Sequence, residues 1–131
     1  MSNELRKPFV SYDYGTIRVM PRVERGEFIN VGVILYCRTQ KFLDAKTHFD
    51  FDKLGMLDPN IDIDAVGRIA QRIALFSDIC GGHGAIGAME QAERFHWLVA
   101  YRSGMIQASS IHSGICSDPA VELALLFDQL V

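Results

Sequence analysis

Residues 26–35, GEFINVGVIL, carry an acid at the second position, pass through an asparagine and turn almost wholly apolar around Gly32. The odd positions Ile29, Val31, Val33, Leu35 and Cys37 are all apolar, while Asn30 and Gly32 share the alternate positions with Ile34 and Tyr36. A period of two marks a half-buried strand with one face in a core. The neighbouring stretches SYDYGTIRVM (11–20) and KFLDAKTHF (41–49) are rich in β-branched and aromatic residues and set off by short polar turns, so a three-strand meander is expected. Matching apolar faces across the hairpins fixes a register, because a slip of one residue turns the apolar set outward. That register pairs Ile17 with Val31 and Val19 with Ile29, then Leu43 with Leu35 and Ala45 with Val33. On the opposite face Arg18, Asn30 and His48 then lie side by side, with Thr16, Gly32 and Lys46 in the next row.

Beyond the meander, MLDPNID has turn chemistry, and a helix is predicted over residues 64–80 with Asp62 or Asp64 as N-cap. Val66, Ile69, Ile73, Phe76 and Cys80 follow the 3.6-residue period, and Gly81 with Gly82 supplies the stop. AIGAMEQAERFHWLVAY (85–101) reads as a short helix through Glu93 and then a strand over 95–100, where aromatic and β-branched residues gather. RSG turns the chain into a further strand, MIQASSI (105–111). Asp118 as N-cap and Pro119 at the first helical position open a last helix to Leu130. Its polar residues Glu122, Asp128 and Gln129 occupy about a third of the circumference, a sector that also holds Val121 and Leu125. Such a helix reads as buried on most sides, the sharper alternative being a partner or dimer surface.

These elements make an α+β domain: a mostly antiparallel sheet of about five strands, in the order β-β-β-α-α-β-β-α, with helices packed mainly on one face. The 131 residues fit one domain, with 1–10 expected as a loose N-terminal arm and 11–131 as the folded unit. A chain of this length buries roughly 65–70% of its unfolded surface, so its core needs no staples. Cys37, Cys80 and Cys116 are odd in number and far apart, which suits small buried hydrophobes in a reducing cytoplasm better than disulfides or a structural zinc site. No stretch reaches the ~18 apolar residues of a membrane span, and the first ten residues hold no apolar signal core, so a cytoplasmic protein is expected. A formal charge of −3 without a lysine or arginine run argues against nucleic acid as partner.

Gly82, Gly84 and Gly87 match the GxGxxG dinucleotide fingerprint, but they follow a predicted helix with no βαβ unit around them, so they read as a helix-ending loop. No Walker loop, HExxH, GxSxG or EF-hand spacing occurs. His48, His83, His96 and His112 are scattered without ligand spacing, so neither metal nor cofactor is expected. YRSGMIQASSIHSGICSDP (101–119) sets Arg102, Ser103, His112 and Ser113 among glycines. A Ser/His pair can be written there, yet a triad is recognised by geometry, which spacing does not supply. The plainer reading pairs Arg102 with a carboxylate such as Glu27 and has His112 and Ser113 satisfy a turn before the last helix.

With ERGEFINVGVIL, ERFHWLVAYRSGMIQASSIHSGICSDP and the closing LLFDQLV in view, the chain resembles a bacterial family known as domain of unknown function 3037, over about residues 12–131. The family's recurring positions match Glu27, Asn30, Gly32, Arg102, Ser103, His112 and Gly114. The resemblance brings no catalytic residue with it. It implies a partner resembling a HipA-like serine/threonine kinase, encoded beside some members.

Two expectations of different class follow. The first is a non-catalytic interaction or regulatory module, acting with a HipA-like kinase or as a homodimer through the last helix. The alternative is a small-ligand or enzymatic site built from Glu27, Asn30, Arg102, Ser103 and His112, with Arg18 and His48 at its margin. There Arg102 would grip an anionic group through its planar fork and His112 would serve as general acid or base. The missing catalytic motifs weigh against an enzyme.

Overall fold

The computed structural model describes residues 8–131, apart from the side chains of Arg102 and Ser103. The meander forms as expected, from β1 (Val10–Arg22), β2 (Glu27–Cys37) and β3 (Phe42–Thr47). At thirteen residues β1 is long enough to take two partners along its far edge: β6 (His112–Cys116) beside Val10 to Tyr14 and β5 (Ile106–Ala108) beside Ile17 to Val19. A two-residue β4 (Arg102–Ser103) completes the path β3-β2-β1-β5-β4, and every pairing is antiparallel. The expected arm over residues 1–10 lies mostly outside the described residues, but Val10 already belongs to β1.

The register departs from expectation at one place, and the departure reorganises the sheet. Val19 faces Ile29 and Arg18 faces Asn30 as predicted, but Ile17 faces Gly32 instead of Val31. Val31 is therefore an extra residue in β2, a bulge that reverses the alternation beyond it. The apolar odd positions, expected on one face, divide between two. Ile29 and Val31 join one core cluster, while Val33, Leu35 and Cys37 join the other and Ile34 and Tyr36 take over the first face. The next hairpin inherits the slip: Leu43 faces Tyr36 and Ala45 faces Ile34, in place of Leu35 and Val33. Thr16 and Lys46 both pair with Val33, and Gly32 with Thr47.

Among the described residues five α-helices accompany the sheet: α1 (Phe51–Leu57), α2 (Ile63–Cys80), a single turn α3 (Gly84–Gly87), α4 (Gln91–Val99) and α5 (Pro119–Leu130). In α2 the five periodic residues Val66, Ile69, Ile73, Phe76 and Cys80 are all buried, and Asp62 Oδ1 caps the helix by accepting from the Asp64 N–H at 3.2 Å. With Leu54 of α1 and Phe95, Leu98 and Val99 of α4 they pack over Ile17, Val19, Ile34 and Ile106. Each such fully buried side chain contributes roughly 1.5–3 kcal/mol of burial energy. Arg94 of α4 donates to the last carbonyls of α2, Ile79 O at 3.2 Å and Cys80 O at 2.9 Å, joining the two helices where the α2 dipole favours a cation.

Residues 95–99 were expected as a strand and are helical. Phe95, Leu98 and Val99 stand at i, i+3 and i+4, so one helical face buries all three, and packing overrides the β propensity of aromatic and branched residues. The short α1, capped by Asp50, was not anticipated and buries only Leu54. MIQASSI contributes only β5, and His112 and Ser113, expected in a turn, belong to β6. Gly82 adopts a left-handed φ of 91° in the loop after α2, as a helix-ending loop requires, while Gly84, with φ 78°, opens the single turn α3, so the stretch read as a loop is partly helical.

Helices α1, α2 and α4 share one face of the sheet, as expected, and α5 takes the other. Leu123 and Leu126 close a second cluster over Tyr12, Val33, Leu35, Cys37 and Cys116. Asp118 caps α5 through the N–H groups of Ala120 and Val121. The expectation that this helix is buried on most sides does not hold, since Val121 is 55% and Leu125 51% exposed.

Candidate functional site

The residues singled out in the sequence do not share one site. Arg18 faces Asn30 on β2 and Gln107 on β5, and Gln107 faces Arg102 on β4, so these four positions form one row across four strands. Arg18, Asn30 and Gln107 lie on the α5 face, because the alternate residues Ile17, Val19, Ile106 and Ala108 all point into the opposite cluster. The Arg18 guanidinium sits 4.2 Å from the centroid of the Phe28 ring, a cation–π contact. Asn30 Nδ2 donates to Leu130 O at 3.1 Å, which ties the end of α5 to the sheet. Arg18 Nε, Asn30 Oδ1 and Thr16 Oγ1 are buried on this face without a hydrogen-bond partner among the described residues. One donor and one acceptor thus stand in adjacent strands, suited to a single group that both accepts and donates, such as water or an amide.

Glu27 lies apart, at the exposed mouth of the hairpin, where its Oε1 meets Arg25 Nε at 2.6 Å. The side chains of Arg102 and Ser103 lie outside the described residues. His48 is exposed just past β3, with its backbone N–H donating to Val31 O at 2.7 Å. His112 is exposed on β6, its ring stacked on Tyr14 at a centroid separation of 5.3 Å. Next to it the Ser113 hydroxyl donates to Asp13 Oδ1 at 2.6 Å.

A cleft of about 510 Å³ opens elsewhere, where α4 begins over the ends of β1 and β2, and its lining includes Asp13, Tyr36, Arg38, Glu90, Gln91 and His96. His96 Nδ1 lies 2.7 Å from Ala92 O, and a carbonyl only accepts, so Nδ1 carries the proton and Nε2 keeps its lone pair in the neutral ring. The cleft thus offers a guanidinium, two carboxylates, a phenol and an imidazole. None of them was singled out from the sequence. They come from three separate stretches, and placing His96 in a strand hid its position in the last turn of a helix.

The cysteines are free and buried. Burial, then the charge of Asp44, pushes the Cys80 thiol up to about 12, and burial followed by Glu122 raises Cys116, so neither is poised as a nucleophile. Among the described residues no group of three or more His, Cys, Asp or Glu side chains converges as a metal site, and no helix is long and apolar enough to cross a membrane.

A third feature is apolar. Phe9, Ile115, Val121 and Leu125, exposed by 73, 67, 55 and 51%, line one groove of about 200 Å³ between β6 and α5. Asp118 and Glu122 are the charged residues of its lining.

Neither a curated protein nor a solved structure matches the chain. One family model does, over residues 14–131, and the chain accordingly belongs to the family described as protein of unknown function DUF3037.

Proposed function

We propose that this domain is a non-catalytic interaction module that docks a protein partner through the groove between β6 and α5. The observation that carries the reading is the groove itself: four large apolar side chains, each at least half exposed, Ile115 from β6, Val121 and Leu125 from α5 and Phe9 from the residue before β1. Isolated exposed apolar residues need no explanation, but a contiguous set beside a sheet edge is a docking surface by composition. The HipA-like kinase implied by the family resemblance is the first partner to test. Co-expressed with such a kinase, the chain should co-purify with it, and Ile115→Lys together with Leu125→Glu should abolish the complex. A chain that remains alone at micromolar concentration with the kinase present counts against that partner.

The cleft beside α4 supports a second reading, a small-ligand site in which Arg38 holds an anionic group and His96 Nε2 accepts a proton or hydrogen bond. A thermal-shift screen of small carboxylates and phosphates tests it. A true ligand raises the melting temperature of wild type and leaves Arg38→Ala unmoved, whereas equal shifts in both proteins rule the cleft out.

A further inference from the structure

We infer that the cleft beside α4 takes a zwitterion, one ammonium and one carboxylate joined by a short carbon skeleton, as in a free α-amino acid. The inference rests on the small-ligand reading of that cleft and names the class of its ligand.

The charges of the lining make the first part of the argument. Arg38, Asp13 and Glu90 share one cleft of about 510 Å³, yet among the described residues they form no ion pair with one another. The fold holds them apart. Asp13 belongs to β1, and its Oδ1 is engaged by the Ser113 hydroxyl at 2.6 Å. Asp13 faces Tyr36, two residues before Arg38, so Asp13 and Arg38 are diagonal neighbours with Cα atoms roughly 7–8 Å apart. Glu90 is the N-cap of α4, but its side chain caps nothing. The start of that helix is fastened to the β2–β3 hairpin by Gln91 Nε2, which donates to Lys41 O at 2.9 Å. A purely anionic ligand meets two carboxylates here, and a purely cationic one meets the guanidinium; like charges set against each other cost affinity. A molecule with both charges finds an opposite one at each end.

Hydrogen-bonding capacity makes the second part. A primary ammonium has three donors and no acceptor. The cleft presents acceptors to match: the Asp13 oxygen that Ser113 leaves free, the Glu90 carboxylate, and His96 Nε2, whose lone pair is open because Nδ1 gives its proton to Ala92 O. A carboxylate only accepts, and it suits the planar fork of Arg38, the one guanidinium of the lining. Tyr36, its ring centroid 5.5 Å from that of Phe95, supplies with Ala92 an apolar wall for the carbon skeleton. A cleft of this size lies within the range of small-molecule sites and has room for an amino acid with its side chain.

Isothermal titration of the full chain tests this with alanine, leucine and phenylalanine, each beside the acid that lacks its amino group and the amine that lacks its carboxylate. At least one amino acid should bind about tenfold more tightly than both of its analogues. Arg38→Ala should weaken that amino acid about tenfold and leave its amine unchanged, whereas Glu90→Gln should weaken it about tenfold and leave its acid no weaker. Both positions are exposed, so the melting temperatures should not move. An acid that binds as tightly as its amino acid and still needs Arg38 overturns the zwitterion and leaves the small-ligand reading standing. An amine that binds as tightly overturns the inference and the role of Arg38 with it. No binding by any of the compounds overturns the inference, and the screen of carboxylates and phosphates then decides the cleft. Amino-acid binding that is unchanged in both variants lies elsewhere and overturns the inference and the small-ligand reading together.

Discussion

Gly32 is the residue on which the sheet turns. A Cβ placed there would lie 2.9 Å from each of Ile17 Cδ1, Lys46 O and Thr47 Cγ2, and one of those three is backbone that cannot yield cheaply. Gly32→Ala should therefore destabilise the fold by about 1–3 kcal/mol, as overpacking does, read as a lower midpoint in urea unfolding. Gly67, on the exposed side of α2, has nothing within 4 Å of its would-be Cβ, so Gly67→Ala should stabilise by about 0.5–1 kcal/mol through helix propensity alone. The two substitutions are chemically identical, and equal effects on the urea midpoint would refute the packing account. Gly114 repeats the lesson at the edge, where a Cβ would stand 2.5 Å from the Tyr12 hydroxyl oxygen and 2.7 Å from its ring. Asn30 has a different reason for being polar: it holds the last carbonyl of α5 to β2, a link over 100 residues of sequence.

At the scale of the element, α5 depends on its first turn as much as on Asn30. Asp118 accepts from Ala120 N at 3.1 Å and Val121 N at 3.4 Å, and Pro119 gives up an N–H that had no helical partner. Asp118→Ala should cost about 0.5–2 kcal/mol and Asp118→Asn much less, with hydrogen exchange at Ala120 and Val121 rising in the alanine variant only. Caps and periods of this kind were legible in the sequence, which is why α2 and α5 formed close to the expected limits. Two local features were not. A bulge leaves no mark in an alternating pattern: five apolar odd positions look the same whether they share a face or divide between two clusters, and only the partner strands decide. In α4 the apolar spacing is helical, but nine residues with two aromatics also satisfy a strand, and the choice is made by the surface of the sheet and α2 against which they pack.

For the whole molecule, the sheet carries two unequal cores, one under α1, α2 and α4 and a smaller one under α5. The adjacency of Arg18 and Asn30 was legible because a hairpin fixes it locally. The cleft and the groove were not, since each gathers residues from stretches far apart in the sequence, and no spacing rule links Arg38 to His96 or Phe9 to Leu125. The same two cores set how the protein responds to alkali. Burial, assisted by Glu122, pushes the Tyr12 phenol from 10.0 up to about 12, and burial pushes the Cys80 thiol from 9.0 up to about 12. Cys116, in the α5 core, is raised above 9.0 by the same causes as Tyr12. All three groups are neutral when protonated, so the native state holds their protons more tightly than the unfolded chain does. Their contribution is complete below the ordinary values and is lost as pH rises through the native ones, because the unfolded chain then gains by ionising first. Stability should be level with respect to these groups up to about pH 9 and fall steadily towards pH 12, with the thiols acting first and the phenol from about pH 10. Urea midpoints measured every half unit from pH 8 to 12 check this. Tyr12→Phe should flatten the decline above pH 10 while leaving the earlier part intact. A midpoint that rises between pH 9 and 12, or a decline of the same slope in Tyr12→Phe, would show that these buried groups do not carry the response.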